Sequence, residues 1–224
     1  MMMTLEEGLQ IINQIPNRPF EELFNKEQLS TIRLNKGRTG QLLETVILLL
    51  KLSNTHLDFS NGELKTNKCK ADGSPDETVA VCQISSLFDN MIDVNNYDYT
   101  HNYIMDKLAN MIYLRADKSD SNPNKWKFLP PIHVSRNNLK YRKWYEKVEE
   151  DLRFICNNIK TACEKGEQIS STRGPGHYIQ IRTKDSKPYH GIYSQTHKRF
   201  VSDKNYAIYI TTDGLKELIK IFME

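Results

Sequence analysis

The sequence predicts a mixed α+β (α/β) fold in which a central sheet is flanked by helices. Apolar side chains recur at helical spacing across 139–164. Three short runs, 78–85, 110–115 and 206–210, are rich in the β-branched and aromatic residues that favour strands. Helical patterns precede, separate and follow these runs, an order typical of helices packed against a mixed sheet.

Length and composition are those of a globular chain without a strong overall charge. The 224 residues are 38% apolar and 26% charged, which is ample material for a core. The formal charge is only +3, but Lys and Arg cluster in 136–143 and 182–204. These clusters fit either local contacts with phosphates or ordinary solvated surface.

Cysteine use and hydropathy indicate the compartment. The four cysteines form no C-x-x-C pair, so a zinc site is not expected, and Cys156 and Cys163 are predicted to face the core. The sequence contains no signal-peptide pattern and no apolar run long enough for a membrane span. We therefore expect reduced thiols, a cytoplasmic location and no membrane partner.

The N-terminal part is predicted to be helical. Apolar patterns indicate one helix over Leu5–Gln14 and a second from Phe20 onward, separated by two prolines. After a polar turn at 35–40, the segment Gln41–Leu52 is apolar on nearly every side, which predicts a buried helix.

Glu44 lies inside this apolar segment, where a carboxylate is unfavourable unless it is paired or bound to a metal. Two interpretations remain open. In the first, Glu44 has a structural role, either on a narrow exposed stripe or in an ion pair with Lys36 or Arg38. In the second, Glu44 points into a cavity that it shares with Asp58 and Glu63.

The stretch 58–65 (DFSNGELK) is the first candidate site. Asn61-Gly62 is a strong signal for a two-residue type I′ hairpin turn, in which both central residues have positive φ. Because side chains alternate along a strand, such a hairpin separates its polar and apolar side chains. The polar face would contain Asp58, Ser60, Glu63 and Lys65, and the apolar face Phe59 and Leu64.

Two interpretations suit this polar face. Two carboxylates about 5–8 Å apart can hold a hard cation such as Mg²⁺, and a lysine beside the metal can orient an attacking water and help to deprotonate it. The simpler alternative is a surface hairpin in which Asp58 and Lys65 form an exposed ion pair, worth a fraction of a kcal/mol.

The following elements continue the alternation of strands and helices. The run 78–85 is apolar enough for a central strand, 100–107 is a short helix, and 110–115 is a second strand, with Lys107 at the junction. The polar loop 117–131 is either a surface excursion or a flap that faces DNA.

The C-terminal part contains the longest predicted helix, 139–164, with Trp144 and Cys163 on its apolar face. Two alternating strands follow, Tyr178–Arg182 and Tyr206–Ile210. A closing amphipathic helix, Asp213–Met223, is predicted to be capped near Thr212 or Asp213.

Several short blocks occur in the order seen in one nuclease family. They are GRTGQLLE (37–44), DF (58–59), GELKT (62–66), DKL (106–108), GHYIQIRTK (176–184) and YI (209–210). In these blocks the chain resembles the MutH/Sau-type family of type II restriction endonucleases and mismatch-repair nickases, within the PD-(D/E)xK nuclease superfamily. The resemblance runs from about Leu34 to the C-terminus. It implies one nuclease domain over 1–224, with a restriction-endonuclease-like central mixed sheet, a catalytic part at about 1–116 and a DNA-recognition part at about 132–224.

The resemblance also implies roles for individual residues. Asp58, Glu63 and the carbonyl of Leu64 would hold the metal, and Lys65 would be the catalytic lysine of the E-x-K element. Glu44 and Lys107 would complete the catalytic set. The DNA-binding residues would be Lys36, Arg38, Arg182, Lys184 and Tyr209.

Some features depart from the family pattern. The spacing between Asp58 and Glu63 is two residues shorter, and Thr183 replaces the proline that follows the family's recognition arginine. The segments 117–131 and 185–204 do not match the family. These departures leave the details of the first strand and the target specificity open.

The implied activity is Mg²⁺-dependent hydrolysis of double-stranded DNA that leaves a 5′-phosphate. The leading hypothesis is a bacterial type II restriction endonuclease, acting at GATC-like sites and accompanied by a cognate DNA methyltransferase. The alternatives are a MutH-type mismatch-repair nickase with a MutL-like partner, and a DNA-binding module that has lost catalysis. The intact acidic set argues against the last alternative, and the unmatched segments favour restriction. The sequence leaves monomer and homodimer equally open.

Overall fold

A computed structural model describes residues 2–34, 38–49 and 57–224. This part of the chain contains both helices and strands, as the sequence predicts. It divides into two compact units, the first made of Met1–Glu77, Lys107–Asn138 and Phe222–Glu224 and the second of Thr78–Asp106 and Leu139–Ile221. The segment 78–106 groups with the later part of the chain, and the catalytic and DNA-recognition parts expected at about 1–116 and about 132–224 stay predictions.

Short helices open the first unit. They are α1 (Leu5–Ile12), α2 (Phe20–Leu23), α3 (Lys26–Leu34) and α4 (Arg38–Leu42). Thr4 and Glu7 form a capping box that begins α1. The single helix predicted from Phe20 onward is divided into α2 and α3, because the backbone of Phe24 is extended.

A π-helical turn, Leu43–Ile47, continues α4. The prediction of a helix over Gln41–Leu52 that is buried on every side is therefore wrong in part. Leu42, Leu43 and Leu48 are buried, but Leu49 is 78% exposed. The φ of Leu49 is 52°, and a left-handed residue ends a helical path. Residues 50–52 lie outside the described ranges.

The first unit is built on a mixed sheet. Strand β1 (Glu63–Cys69) runs parallel to β3 (Asn110–Asp117), and β3 pairs antiparallel with β4 (Lys127–Phe128) and β5 (Ile132–Ser135). Strand β3 is buried along nearly its whole length, which confirms the strand predicted at 110–115. The predicted polar loop 117–131 contains β4 and a 3₁₀ turn at Pro123–Lys125.

The apolar side of the stretch 58–65 packs into the core of this unit. Phe59 and Leu64 are buried in one cluster with Leu5 and Ile112. The predicted apolar face is therefore confirmed, and its burial leaves the alternating polar side chains on the opposite face.

The second unit is built on an antiparallel sheet. Its strand order is β2 (Val79–Gln83), β10 (Tyr206–Ile210), β7 (Ile179–Thr183) and β6 (Thr172–Arg173). The strand predicted at the centre, 78–85, thus lies at an edge of the sheet formed by the described residues, and β10 occupies a central position. Packing on the faces of β2 buries its apolar side chains without a second neighbouring strand.

Helices and a two-stranded ribbon complete the chain. They are α5 (Phe88–Ile92), α6 (Tyr103–Ala109), a 3₁₀ turn at Leu139–Tyr141, α7 (Arg142–Glu164), α8 (Thr212–Met223), β8 (Ile192–Ser194) and β9 (Arg199–Ser202). Trp144 and Cys163 are buried on α7, as predicted. The cap of α8 is Thr211, one residue before the predicted position, because its Oγ1 accepts the Gly214 N–H at 3.0 Å.

The cysteines agree with the expectation of reduced thiols. All four cysteines are buried and free of disulfides. Within the ranges that the structure describes, no helix combines the length and the apolar character that a membrane crossing needs.

Candidate active site

The stretch 58–63 forms a tight turn that differs from the predicted one. The Phe59 N–H donates to the Gly62 carbonyl at 2.9 Å, so Ser60 and Asn61 occupy the centre of the turn. Neither Asn61 nor Gly62 has a positive φ in the described backbone. The predicted type I′ turn at Asn61-Gly62 is therefore wrong.

Close packing, rather than φ, explains the glycine in this turn. A Cβ atom at Gly62 would lie 2.3 Å from Leu5 Cδ1 and 2.6 Å from the Asn110 carbonyl oxygen. Asn61 attaches the turn to α1, because its Oδ1 accepts the Leu5 N–H at 2.7 Å and its Nδ2 donates to Glu6 at 2.9 Å. Asn110 at the start of β3 donates to the Asn61 carbonyl at 2.9 Å. Tertiary contacts with α1 and β3 thus determine the turn.

The changed register sets Asp58 opposite Glu63, where Lys65 was expected. Asp58 Oδ2 accepts the Leu64 N–H at 2.9 Å. Burial, and next the charge of Glu63, raise the pKa of Asp58 above its ordinary value. The two carboxylates are therefore close enough to repel each other.

Glu63 is at the centre of the site and is only 3% exposed. Its Oε1 accepts hydrogen bonds from Lys65 Nζ at 2.5 Å and from Lys107 Nζ at 3.0 Å. Its Oε2 is buried and has no hydrogen-bond partner among the described residues. Lys65 thus pairs with Glu63 instead of forming the simple exposed pair with Asp58 that the sequence left open.

The π turn after α4 brings Glu44 into the same electrostatic environment. Burial, and next the charge of Asp58, raise the pKa of Glu44 to about 7, with Lys65 opposing and Glu63 adding to the rise. π turns are frequent at functional sites. This coupling supports the interpretation in which Glu44 shares a cavity with the hairpin carboxylates.

The structure therefore brings the predicted catalytic residues together. They are Glu44 after α4, Asp58 before the turn, Glu63 and Lys65 on β1, and Lys107 in the last turn of α6. All five lie in the first unit.

Two supporting side chains were not identified from the sequence. The sequence indicates Asn61 only as a turn residue, whereas in the structure it attaches the turn to α1. Lys118 donates to Thr39 Oγ1 in α4 at 2.7 Å, and burial lowers the pKa of Lys118. The sequence contains no signal for this contact, because its partners are 79 positions apart.

The donor set fits a hard cation completed by water and a phosphate. Carboxylate and carbonyl oxygens suit Mg²⁺. The unpartnered Oε2 of Glu63 is such a donor, and the raised pKa values of Asp58 and Glu44 reflect burial together with crowded negative charge. The Leu64 N–H donates to Asp58, at one edge of strand β1. The N–H and the C=O of a strand residue face the same edge, so the Leu64 carbonyl lies on the side of Asp58 too.

The described residues do not form a metal site made entirely of protein side chains. Among the described residues no group of three or more His, Cys, Asp or Glu side chains is arranged to hold a metal ion. Mg²⁺ commonly binds through one or two carboxylates and keeps several waters. Asp58 and Glu63 would provide the two carboxylates of such a site, and the Leu64 carbonyl would provide a further oxygen.

The predicted DNA-binding residues are distributed differently. Arg182 on β7 places its guanidinium carbon 4.1 Å from the ring centroid of Tyr209 on β10, a cation–π contact. Arg182 and Lys184 are exposed, whereas Tyr209 is buried. In the first unit, Arg38 Nη1 donates to Gln41 Oε1 at 3.0 Å, within its own helix. Lys36 lies outside the described residues.

Comparisons with known proteins do not assign this chain to a group. No protein-family model matches it, and a search of curated proteins returns no match. The geometry around Glu63 is thus the basis for a functional conclusion.

Proposed function

We propose that this chain is a Mg²⁺-dependent endonuclease that hydrolyses phosphodiester bonds in double-stranded DNA, as a type II restriction enzyme. One observation carries the proposal. The buried carboxylate of Glu63 contacts two lysines through one oxygen and keeps its other oxygen unpartnered among the described residues, beside two further acids. Buried acids and amines that converge in this way suit the binding of a metal and a phosphate.

The fold of the first unit supports the proposal. Glu63 and Lys65 have E-x-K spacing on one strand, so their side chains share a face, and they contact each other. Strand β1 belongs to a sheet with parallel and antiparallel pairs, flanked by helices. This arrangement is consistent with the PD-(D/E)xK fold that the sequence blocks imply.

Each residue has a role in the proposed reaction. Asp58, Glu63 and the Leu64 carbonyl would hold Mg²⁺, which supplies charge neutralisation at a phosphate and lowers the pKa of a bound water. Lys65 would orient the attacking water, and Lys107, through its hydrogen bond to Oε1, would hold the Glu63 carboxylate in position. Glu44 would provide a further acceptor that orients water near the phosphate.

Contacts with DNA would come from both units. Arg182, whose guanidinium makes a cation–π contact with Tyr209, would bind guanine O6 and N7. Lys184, Arg38 and Lys36 would contact DNA phosphates or bases. An accompanying DNA methyltransferase would protect the host from a restriction enzyme with these properties.

The test is a cleavage assay with Mg²⁺ on supercoiled plasmid and on phage DNA, each prepared with and without adenine methylation. We expect wild-type protein to produce linear DNA with 5′-phosphate ends, and Glu63→Gln and Asp58→Ala to produce none. Glu21→Gln, an exposed acidic position in the same unit, is the matched control and should cleave normally.

The same assay separates the alternatives. Open circles that are never linearised identify a nickase of the mismatch-repair kind. Absence of cleavage in this assay, together with DNA binding in a separate titration, identifies a catalytically inactive DNA-binding module. Full cleavage by Glu63→Gln would contradict the assignment of this carboxylate as a metal ligand.

A further inference from the structure

The ribbon formed by β8 and β9 in the second unit has two chemically different faces. Ile192 and Val201 are completely buried on one face. Tyr193 and Phe200 lie directly opposite each other on the other face. They are 43% and 57% exposed, although their rings are large and apolar.

The two exposed rings form a defined pair. Their centroids are 5.3 Å apart, and the ring planes make an angle of 77°, an edge-to-face arrangement. Tyr189, a third exposed aromatic, lies just before the ribbon. Single exposed apolar side chains are common, but a cluster of aromatics is typical of a binding surface.

The ribbon is firmly attached to its own unit. Asp89 in α5 accepts the Ser194 hydroxyl at 2.6 Å and the Gln195 N–H at 2.9 Å, which holds the turn between the strands. Arg199 donates to the carbonyls of Cys163 and Glu167 at 3.2 Å and 3.1 Å. The aromatic pair is therefore presented on a preorganised support, so binding would require little ordering.

The charge around the pair is positive. Residues 184–204 contain five Lys or Arg side chains and two Asp side chains, a formal charge of 5 − 2 = +3 with His neutral. The whole chain also has a formal charge of +3, so the remaining residues sum to 3 − 3 = 0. The Asp185 side chain is only 5% exposed and accepts the N–H groups of His190 and Asn205. Arg199 is also only half-exposed, so the exposed charged side chains, Lys184, Lys187, Lys198, Lys204 and Asp203, sum to 4 − 1 = +3.

We propose that the exposed face of this ribbon is a DNA-binding surface, on which Tyr193 and Phe200 pack against base edges in the major groove while Lys187 and Lys198 contact phosphates. The major groove is about 12 Å wide and admits a two-stranded β-ribbon. Aromatic rings provide apolar contact with thymine methyl groups there, and the lysines provide the charge complement. This inference rests on the proposed action on DNA.

The test uses fluorescence anisotropy with a labelled duplex of random sequence, in EDTA and again in Ca²⁺, over a range of salt concentrations. We expect Tyr193→Thr/Phe200→Thr to weaken binding about tenfold with an unchanged salt slope, because only apolar contacts are lost. Lys187→Ala/Lys198→Ala should reduce the salt slope by about two, the value for two lost phosphate contacts. Thr retains strand propensity, and thermal melting checks the fold.

Phe154→Ala is the matched control, because Phe154 is 43% exposed on α7 outside the ribbon. This variant should bind like wild type. A duplex with deoxyuridine in place of thymidine should bind wild type more weakly but leave the Thr variant unaffected, because it removes only the methyl groups.

Binding and cleavage by wild-type protein and by the Thr variant separate the ribbon's role from the proposed function. If wild-type protein cleaves and binds DNA but the Thr variant binds equally well, the ribbon is not the DNA-binding surface. A Thr variant that converts a wild-type dimer into a monomer would also overturn the inference, because the ribbon would then join two copies. If wild-type protein neither binds nor cleaves any DNA, the proposed function itself fails.

Discussion

Glu63 combines several unusual features in a single side chain. It is almost fully buried, it accepts two ammonium groups through one oxygen, and its second oxygen has no partner among the described residues. A buried carboxylate is retained only when its charge is compensated. Here three acids share two lysines, and a cation would restore the balance.

Glu44 should make the metal-free protein less stable as the pH rises. Its folded pKa of about 7 exceeds its ordinary value of 4.5, so its contribution to stability is present below pH 4.5 and is lost as the pH rises to about 7. Glu44→Gln removes this titration. In EDTA, we expect the melting temperature of Glu44→Gln, relative to that of wild type, to be higher at about pH 8 than at about pH 5. Equal destabilisation at both pH values would indicate a structural ion pair instead.

Divalent ions should stabilise the folded protein through Asp58 and Glu63. An ion that binds only the folded state, at a concentration one hundred times its Kd, adds about 2.7 kcal/mol. We therefore expect Mg²⁺ and Ca²⁺ to raise the melting temperature of wild type at about pH 8, and to have a smaller effect on Glu63→Gln or Asp58→Asn. Glu21→Gln should respond like wild type. The absence of a shift in wild type at millimolar ion would contradict the proposed site.

Single side chains also hold elements in place in each unit. The Asn61 side chain joins the turn of the candidate site to α1, and the Asn61 backbone carbonyl accepts from Asn110 at the start of β3. In the second unit, the buried Asp151 of α7 accepts the N–H groups of Gly176, Tyr178 and Ile179 at 2.6–3.0 Å. Both side chains hold a turn against a helix. Their loss should therefore release the whole turn rather than remove a single contact.

Asn61→Ala should lower activity more than stability. The hydrogen bond to the Leu5 N–H is worth about 1 kcal/mol in unfolding free energy, but its loss frees the turn that positions Asp58 and Glu63. Urea unfolding and plasmid cleavage measure the two effects. Ser60→Ala, in the same exposed turn, is the control. If activity falls only in proportion to the folded fraction, Asn61 has no positioning role.

Asp151→Asn should destabilise the second unit by at least about 3 kcal/mol, because the amide cannot accept all three N–H groups that the buried carboxylate accepts. Glu150→Gln removes an adjacent exposed carboxylate that pairs with Lys147, and should change the free energy of unfolding by less than about 1 kcal/mol. Urea denaturation compares the two variants. Similar midpoints for both would show that the Asp151 bonds are not needed.

The whole chain separates into two compact units with different chemistry. The acids and lysines of the candidate site belong to the first unit, whereas Arg182, Tyr209 and the β8–β9 ribbon belong to the second. The chain crosses between the units more than once, since 107–138 returns to the first. Catalysis is therefore expected to respond to mutations in the first unit, and discrimination between DNA sequences to mutations of Arg182 in the second.

Arg182→Ala should reduce sequence discrimination more than general DNA affinity. A bidentate contact with guanine is worth about 1–3 kcal/mol of discrimination. The sequence at the cleaved ends first identifies the target. Competition between target and scrambled duplexes at two salt concentrations then measures the change in discrimination. Tyr209→Phe retains the ring beneath the guanidinium and is the control. An unchanged ratio of target to scrambled binding for Arg182→Ala would assign β7 a structural role.

Local patterns predicted much of the fold. The helix at 139–164 and the strands at 110–115, 178–182 and 206–210 follow from periodicity, and the structure confirms them within a few residues. The position of 78–85 was wrong, because an apolar strand is compatible with either an edge or the centre of a sheet. Its place depends on which strands pair, and that is not a local property.

The candidate site was also predicted in part. Alternation along 58–65 correctly placed Glu63 and Lys65 on one face. The turn type was wrong because Gly62 meets Leu5 and the Asn110 carbonyl, and packing there determines the backbone. Such a contact joins residues far apart in the chain, so no local pattern contains it.

By itself, the sequence determined which acids and lysines are available, the faces on which they lie and most of the regular elements. These properties depend on neighbours a few positions apart. The tertiary structure alone decided that Lys107, 44 positions away, shares an oxygen of Glu63, and that Glu44 is buried near Asp58. Burial and charge coupling arise only when distant segments meet and exclude water, so they cannot be obtained from local spacing.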